Sequence, residues 1–222
     1  MTFDITEKGE LLVFIGINDV LKTAKIYQLQ GKKITLEEVA KKISQQFGGA
    51  EVVVMGRAVQ KENFHGDQSY IVLEGKQVPM NQYKGFRSEL LRKWYEDQHK
   101  DYKEQFQTLG YKVISHSAAQ RSILDHASSL NAIPYIDKLT GGKKILFPVF
   151  YGQYKGEIDE KEKLSKDDLN GDALAAYEMF AKSGYTPIPI RDNAHLREGN
   201  THCISNVIAK IPSEMRLSPL AA

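Results

Sequence analysis

The sequence predicts a mixed α/β fold built from repeated ββαβ-like units, with some strands in parallel pairs. Two observations favour this class. Short apolar runs alternate with segments whose apolar residues recur at helical spacing, and one pattern of helix end and strand start occurs twice. Because 222 residues suffice for one substantial domain or two small ones, we treat residues 1–222 as a single partial α/β domain.

Three segments have the periodicity of amphipathic helices. Residues 34–46 begin with the Thr35-x-x-Glu38 pattern of a capping box. Residues 86–109 carry a four-residue row of large apolar side chains, which we expect to pack against a sheet. Residues 171–183 end before a glycine. The apolar residues are Leu36, Val39, Ala40 and Ile43 in the first segment, Phe86, Leu90, Trp94, Tyr102 and Phe106 in the second, and Leu174, Tyr177 and Phe180 in the third.

Nine short apolar runs between these segments are predicted strands, since they are four to seven residues long and bounded by turn-forming or polar residues. They are Leu11–Gly16, Glu51–Met55, Ser69–Leu73, Gln77–Met80, Lys112–Ser115, Ala132–Ile136, Lys144–Phe150, Pro187–Ile190 and Ile204–Ile208.

One pattern repeats inside the chain. Residues 106–114 and 180–188 both read F-x-x-x-G-Y-x-x-I, and their phenylalanines lie 74 residues apart. The pattern predicts a helix that ends at Gly110 or Gly184 and is followed by a buried strand. A weaker copy spans residues 47–55.

The similarity continues downstream of this pattern. Residues 128–133 (SSLNAI) lie 75 residues before residues 203–208 (CISNVI), so Cys203 occupies the position that Ser128 has in the preceding unit. Repetition at a fixed period indicates one supersecondary unit used several times. We count three units, at about 5–75, 76–143 and 144–212.

The composition excludes several classes of protein. A net charge of +2 gives no reason to expect a nucleic-acid partner or an anionic membrane, and no apolar run is long enough to cross a bilayer. The polar, acidic start MTFDITEKGE is not typical of a signal peptide. A single cysteine can neither form an internal disulfide nor supply a structural zinc site, so we expect a reducing, cytoplasmic location.

Two places could hold catalytic groups, and each directly precedes a predicted strand. One is His65-Gly-Asp67 and the other is Thr201-His-Cys203. A thiol with a pKa near its usual ~8.5 is mostly protonated at neutrality, so a nucleophilic cysteine needs a neighbouring base or cation. From the residue types alone, Cys203 is more often a small buried apolar residue, and His65 with Asp67 is more often a surface pair or a turn cap.

These residues carry a family resemblance. The stretch from Gly199 to Asn206, GNTHCISN, resembles the nucleophile motif of the pentein guanidine-modifying superfamily, whose agmatine deiminases and bacterial-type peptidylarginine deiminases read roughly G-N-x-H-C-x-T. His65-Gly-Asp67 is similar to the H-x-D motif of that family. Residues 129–135 and 144–152 resemble a stretch of the agmatine deiminases. The resemblance extends from about residue 50 to residue 212, as in a C-terminal portion of such an enzyme.

The resemblance implies a fold and a chemistry. The family fold is an α/β propeller of five ββαβ units, of which this chain would supply about three. Cys203 would attack the guanidinium carbon and His65 would move the protons. Asp67, Asn200 and Asn206 would bind the substrate, with no cofactor and no metal. The family's early W-x-R-D-type segment has no match in this sequence, and Ser205 stands where threonine is common.

The resemblance therefore implies a cysteine-dependent hydrolase, a deiminase of agmatine, arginine or peptidyl arginine. Two alternatives remain open, namely a non-catalytic binding domain derived from the same fold and an amidinotransferase. We expect a small-molecule or peptidyl guanidinium partner, and neither a nucleic acid nor a membrane. Because an arc of three units exposes a sheet edge, we also expect a homo-oligomer or a missing N-terminal portion to cover that edge.

Overall fold

Three small sheets and four α-helices make up the part of the chain that the structure describes. The computed structural model describes residues 2–6, 8–56, 69–84, 88–119, 128–150, 152–155 and 163–191. The predicted mixed α/β class is confirmed in these residues. Within them, no helix is long and apolar enough to cross a membrane.

The first sheet contains β1 (Thr2–Ile5), β2 (Leu11–Gly16) and β3 (Glu51–Met55), in that order. β1 runs antiparallel to β2, and β2 runs parallel to β3. A parallel pair needs a crossover connection, which here consists of α1 (Ile17–Leu29) and α2 (Leu36–Gln46). β2 and β3 have their predicted bounds, whereas β1 and α1 were not predicted from the sequence.

The second sheet pairs β4 (Gln77–Lys84) with β5 (Lys112–Ala119) in parallel, and α3 (Glu89–Thr108) makes the crossover. Both strands extend further than the sequence predicted. The predicted strand Ser69–Leu73 is reduced to two antiparallel bridges to β4, formed by its second and last residues. In each of the three sheets, the segment that comes first in sequence is therefore antiparallel to the strand that follows it.

The third sheet contains β6 (Ile133–Ile136), β7 (Lys143–Val149) and β8 (Thr186–Arg191). β6 is antiparallel to β7, and β7 is parallel to β8. A short 3-10 helix (Lys166–Asp168) and α4 (Gly171–Lys182) connect the parallel pair. The predicted boundary between the second and third units lies at residues 143 and 144. The pairing of β6 with β7 crosses this boundary, because β6 lies before it and almost all of β7 lies after it.

The start of α2 has the predicted capping box. The Oγ1 atom of Thr35 accepts a hydrogen bond from the backbone N–H of Glu38 at 3.2 Å, and a carboxylate oxygen of Glu38 accepts one from the backbone N–H of Thr35 at 2.7 Å. Two N–H groups that lack helical partners are thereby satisfied. Val39 and Ile43 are the buried residues of this helix, so it lies against the sheet with its predicted face.

The two copies of the repeat end their helices in the same way. Gly110 and Gly184 have φ angles of +81° and +87°, a region that side chains with a Cβ rarely occupy. The N–H of Tyr111 donates to the carbonyl of Phe106 at 2.9 Å, and the matching bond at the end of α4 is 3.1 Å long. This is the Schellman arrangement, which satisfies carbonyls that the helix leaves open. The predicted helix ends are confirmed.

The apolar row of α3 packs over only part of its length. Tyr102 and Phe106 are buried, and Gln98, on the same row, is also buried. Leu90 is 79% exposed. Trp94 is partly buried, so the expectation that the whole row packs against a sheet was wrong at Leu90.

Apolar clusters join each sheet to the next one. One cluster combines side chains of the first and second sheets, and another combines the second and third. Burial of each large side chain stabilises these junctions by about 1.5–3 kcal/mol relative to exposure. The first cluster includes Phe14, Met55, Tyr70, Met80 and Phe106, and the second includes Ile71, Leu73, Leu130, Phe147 and Phe180.

Candidate functional site

The five predicted site residues lie outside the described residues. His65 and Asp67 belong to segment 57–68, while Asn200, Cys203 and Asn206 belong to segment 192–222. Their grouping stays a prediction. The structure places the residues that flank these segments, namely Gly56 and Ser69 on the two sides of the first segment and Arg191 before the second.

The segment that carries His65 and Asp67 leaves the first sheet at Gly56. The N–H of Gly56 donates to Oε1 of Gln105 on α3 at 2.8 Å. Gly56 has a φ of +90°, and a Cβ at this position would lie 3.3 Å from Cγ2 of Ile17 and 3.6 Å from the ring of Tyr102. Glycine is therefore favoured here by the backbone conformation and by the tight approach of Ile17.

The same segment rejoins the fold at Ser69 and Tyr70, which are buried. The ring of Tyr70 packs edge-on against Tyr102, with centroids 5.2 Å apart, and against Phe106 at 4.9 Å. Tyr102 thus contacts both ends of the excursion. The described residues on the two sides of segment 57–68 are therefore both held against α3. We expect this anchoring to limit the region that His65 and Asp67 can reach.

Ser128, the counterpart of Cys203 in the repeat, is buried in a polar cluster. Its Oγ accepts hydrogen bonds from Nδ2 of Asn81 at 2.9 Å and from the N–H of Leu130 at 3.2 Å. Asn81 lies on β4 and is itself buried. A side chain at this position of the repeat therefore points, in the second unit, toward a polar group on the neighbouring strand.

Asn81 also contacts α3 through its backbone. Its carbonyl accepts a hydrogen bond from Nδ1 of His99 at 3.2 Å. Because a carbonyl oxygen only accepts, this bond assigns the proton of the neutral ring to Nδ1 and leaves Nε2 as an acceptor. Burial lowers the pKa of His99, and the nearby charge of Lys103 lowers it further, while the bond to Asn81 opposes both effects.

A second imidazole lies beside Asn81 across the strand pair. His116 on β5 is the parallel partner of Asn81 and is 4% exposed. Burial lowers its pKa to about 4, against the weak opposing charge of Asp172. His116 is therefore neutral near pH 7. Asn81 consequently lies between two imidazoles, His99 and His116, and near the hydroxyl of Ser128.

The third sheet ends at the segment that carries the predicted nucleophile. Arg191 is the last residue of β8, and its guanidinium lies 5.6 Å from the ring centroid of Tyr154. This contact holds the cation over the aromatic face at the point where the chain continues to residue 192. Among the described residues, no group of three His, Cys, Asp or Glu side chains could hold a metal ion.

Sequence reasoning missed the roles of Tyr102 and Asn81. Tyr102 was assigned to a packing row, and that row contained no sign that one of its members lies beside both Gly56 and Tyr70. Asn81 could have been noticed as an amide next to a predicted apolar strand, Gln77–Met80. A polar residue at a strand end that is buried needs a partner, and here the partner comes from residue 128.

The fold resembles solved deiminases. The chain matches an agmatine deiminase from C. jejuni over 91% of its own length, with a TM-score of 0.51 and 10% identity, and a C315S form of that enzyme with substrate bound at the same TM-score and identity. It also matches a proposed arginine deiminase from Porphyromonas gingivalis over 91% of its length, with a TM-score of 0.55 and 13% identity. No protein-family model matches the chain, and neither does a curated protein sequence.

The chain spans about half the length of these solved structures, since it covers 52%, 53% and 54% of them. The resemblance read from the GNTHCISN and His65-Gly-Asp67 motifs and the resemblance of the folds point to the same group of proteins. The chain therefore has a fold similar to that of these solved deiminases.

Proposed function

We propose that this chain is the C-terminal portion of a cysteine-dependent guanidine deiminase, a C–N hydrolase. The observation that carries the proposal is the nucleophile-like motif around Cys203 in a chain with the fold of solved deiminases. The contacts of Gly56 and Tyr70 with α3, on the two sides of segment 57–68, support the proposal that His65 and Asp67 act near this helix. The propeller arrangement, with about three of five units, is part of the same proposal.

The proposed reaction has two halves. The thiolate of Cys203 attacks the guanidinium carbon, and the bond from that carbon to one NH2 group breaks as His65 gives that nitrogen a proton. Ammonia leaves, and an amidino group remains bound to sulfur. His65 then takes a proton from water, the water oxygen attacks the same carbon, and the carbon–sulfur bond breaks to release a ureido product and the free cysteine.

Charge complementarity would hold the substrate. Asp67 would pair with the N–H groups of the cationic guanidinium, and Asn200 and Asn206 would add neutral hydrogen bonds. We propose agmatine, arginine or peptidyl arginine as the substrate class, since the similar C. jejuni structure is described with its substrate bound. The reaction needs neither a metal nor a cofactor, because both steps are transfers of protons and of an amidino carbon.

The direct test is turnover. The protein is incubated with agmatine, free arginine and an arginine-containing peptide, and ammonia and the ureido product are measured together. Cys203→Ala is the control, and we expect it to remove both products for whichever compound reacts. Formation of ammonia at equal rates by the Cys203→Ala variant would contradict the proposal.

A second candidate is a non-catalytic binding domain, and one observation favours it. The chain spans about half of the length of the solved deiminases, so any substrate-binding or catalytic group from the other half of such an enzyme would be missing from it. Binding of arginine or agmatine without turnover, measured by calorimetry, would favour this candidate. Transfer of the amidino group to added glycine instead of water would favour an amidinotransferase.

We also propose that the open edge of the arc is covered in the functional protein, either by a second copy or by an N-terminal portion of a longer chain, and that the protein is cytoplasmic. Unpaired strand edges are sites of association, which supports the first part. Light scattering after gel filtration separates the two covers, since a second copy doubles the 25.1 kDa mass of this chain.

A further inference from the structure

A basic cleft of about 580 Å³ lies between the end of α1 and one side of α2. The residues that line it belong to these two helices and to the connection between them. The segments that carry the predicted catalytic residues come later in the sequence. The lining includes Tyr27 of α1, Lys32 and Lys33 of the connection, and Glu38, Lys41 and Lys42 of α2.

The four lysines of the cleft have no carboxylate partners among the residues that the structure describes. All four are exposed, and the ion pairs found in that part of the chain involve other lysines or an arginine. Glu38 is the acidic residue of the lining, and its carboxylate accepts a hydrogen bond from the N–H of Thr35 at 2.7 Å. Four lysines and one glutamate therefore leave the lining positively charged.

Positive charge is concentrated in this part of the chain. From Ile17 to Gln46 there are six lysines and three acidic residues, which give a net charge of +3, whereas the whole chain carries only +2. The rest of the chain is therefore slightly acidic, and the small total charge does not reveal the basic surface. A cleft lined by one sign of charge raises the local concentration of ions of the opposite sign, which here are anions.

The end of α1 holds Lys32 beside Tyr27. Gly31 has a φ of +75°, and the N–H of Lys32 donates to the carbonyl of Tyr27 at 3.0 Å. This is the glycine ending that α3 and α4 also have, and it turns the chain back over the last turn of the helix. The Nζ atom of Lys32 lies 5.6 Å from the centroid of the Tyr27 ring. Because an aromatic face attracts a cation at this distance, both the backbone and the ring restrict the position of Lys32.

A second lysine reaches the same ring from α2. The Nζ atom of Lys42 lies 5.7 Å from the centroid of Tyr27. Since both Nζ atoms lie within 5.7 Å of one point, they are no more than about 11 Å apart. Two like charges at this separation repel each other, and neither has a carboxylate partner among the described residues. An anion bound between them would be attracted by both.

The residue types in the cleft favour a small phosphorylated ligand. Lysine binds phosphate as a point charge, whereas arginine is the residue that pairs with a carboxylate through two parallel bonds, and the segment from Ile17 to Gln46 contains no arginine. Tyr27 is the aromatic residue among those that line the cleft, so they offer no row of rings on which successive bases of a nucleic acid could stack. The volume lies in the range of small-molecule sites, about 300–1,000 Å³.

We propose that the cleft between α1 and α2 binds a small anion with at least two linked phosphate groups, which contacts Lys32 and Lys42 beside Tyr27. Lys33 and Lys41 line the same cleft and add to the attraction. The two lysines beside the ring come from different elements, so an anion with several charged groups can contact both at once. Such a chain of phosphates occurs free or as part of a nucleotide. The proposal does not depend on the proposed deiminase activity.

The test is calorimetric titration of the intact chain at about 0.1 M salt, where charges more than about 10 Å apart are largely screened. Inorganic tripolyphosphate should bind at least about tenfold more tightly than orthophosphate, because more than one charged group contacts the lysines. Equal binding of the two, or no binding of either, would overturn the proposal.

Two further ligands identify the source of the phosphates. ATP that binds as tightly as tripolyphosphate would support a site for the free phosphate chain, and tighter binding of ATP would support a site for a nucleotide. A thymidine oligonucleotide should bind no more tightly than tripolyphosphate. An oligonucleotide that binds at least about tenfold more tightly would indicate a nucleic-acid surface and would overturn the proposal of a small ligand.

Two double variants localise the binding. Lys32→Gln with Lys42→Gln should weaken the binding of tripolyphosphate at least about tenfold, because it removes the two cations beside Tyr27. Lys22→Gln with Lys25→Gln is the matched control, since it removes the same charge from exposed positions of α1 that do not line the cleft. The control should change the affinity less than about twofold. Equal weakening in both double variants would mean that the ligand responds only to net charge, and would exclude the cleft as its site.

Chemical modification of the lysines gives a readout that needs no variant. Acetylation of each lysine by an N-hydroxysuccinimide ester is followed by mass spectrometry, with and without saturating tripolyphosphate. The ligand should slow the reaction at least about threefold at Lys32 and Lys42, whose amino groups contact it, and should leave Lys22 and Lys25 unchanged. Equal rates at Lys32 and Lys42 with and without the ligand would place the bound phosphates elsewhere and would contradict the proposal. Neither measurement involves turnover, so the result is separate from the test of the deiminase reaction.

Discussion

The hydroxyl of Tyr111 donates a hydrogen bond to Oδ2 of Asp4 at 2.5 Å, across the junction between the first and second sheets. The next junction has a bond at the matching place, where the hydroxyl of Tyr185 accepts from the N–H of Glu74 at 3.1 Å. Both tyrosines follow the glycine that ends a helix. At the end of α2, the corresponding position is occupied by Gly49, which has no side chain to make such a bond. The described part of the chain also contains no sheet before the first one for it to contact. The tyrosine of the repeat is therefore a contact between units.

Tyr111→Phe should lower the free energy of unfolding by about 1–2 kcal/mol, since it removes a bond to a charged acceptor. Tyr185→Phe, which removes a bond to a neutral N–H, should cost less, about 0.5–1 kcal/mol. Urea denaturation with equal slopes for all three proteins measures the difference. A loss in Tyr185→Phe that exceeds the loss in Tyr111→Phe would contradict this ranking.

The repeat was the part of the fold that the sequence predicted best. Its glycines end helices with positive φ angles, a conformation that glycine adopts far more readily than other residues. Each glycine can therefore be recognised as a helix end from one copy of the repeat alone. The bond between Tyr111 and Asp4 was not predictable, because it depends on which sheet packs next to the second one. The spacing of residues in the sequence does not indicate which sheets are neighbours.

The elements that were missed have weak local signals. β1 has only four residues, and its Ile5 is 67% exposed. α1 begins after Gly16, which makes no side-chain cap, and its Ile26 and Leu29 are 56% and 80% exposed. A helix with apolar residues on its exposed face shows no single buried stripe, so periodicity did not reveal α1.

The candidate site was predictable as a set of residue types and not as a geometry. The motifs name Cys203, His65 and Asp67, but the distances among them depend on how two long segments lie over the fold. The described framework restrains one of these segments at Gly56 and Tyr70. That restraint arises from tertiary contacts with α3, and no local pattern in residues 57–68 encodes it.

Gln105→Leu should loosen this restraint. The substitution removes the acceptor of the Gly56 N–H and leaves that donor partly buried without its partner, which should cost about 1–3 kcal/mol locally. We expect faster hydrogen exchange at Gly56 and at least a fivefold loss of any deiminase turnover. Gln107→Leu, an exposed position on the same helix, is the matched control. Equal exchange at Gly56 in both variants would show that Gln105 does not hold the segment.

The burial of His116 should make the protein less stable at acid pH. Its pKa is about 4 in the folded state, against 6.5 for an unperturbed histidine, because burial disfavours the charged ring. Between pH 6.5 and pH 4 the unfolded chain therefore binds a proton at His116 that the folded chain does not bind. The free energy of unfolding consequently decreases as pH falls through this range. The full loss is about 3 kcal/mol for this one group.

The measurement is the free energy of unfolding in urea between pH 7 and pH 4, for the parent and for His116→Gln. The variant has no titrating ring, so its stability should fall less over this range, whatever its stability at pH 7. His99→Gln is a useful comparison, because the pKa of His99 is also lowered and its own contribution should persist in His116→Gln. Parallel curves for the parent and His116→Gln would contradict the assigned pKa.

Cys203 offers a test of the proposed site that does not require turnover, because it is the only cysteine of the chain. Chloroacetamidine carries a cation that resembles a guanidinium, and chloroacetamide is a neutral reagent of nearly the same shape. If Asp67 and His65 lie beside the thiol, chloroacetamidine should alkylate Cys203 at least about tenfold faster than chloroacetamide, relative to the same ratio for free cysteine. Asp67→Asn should reduce this preference, since it removes the charge that attracts the cation. Mass spectrometry of the intact protein gives both rates, and a ratio equal to that of free cysteine would mean that Cys203 is not part of a guanidinium site.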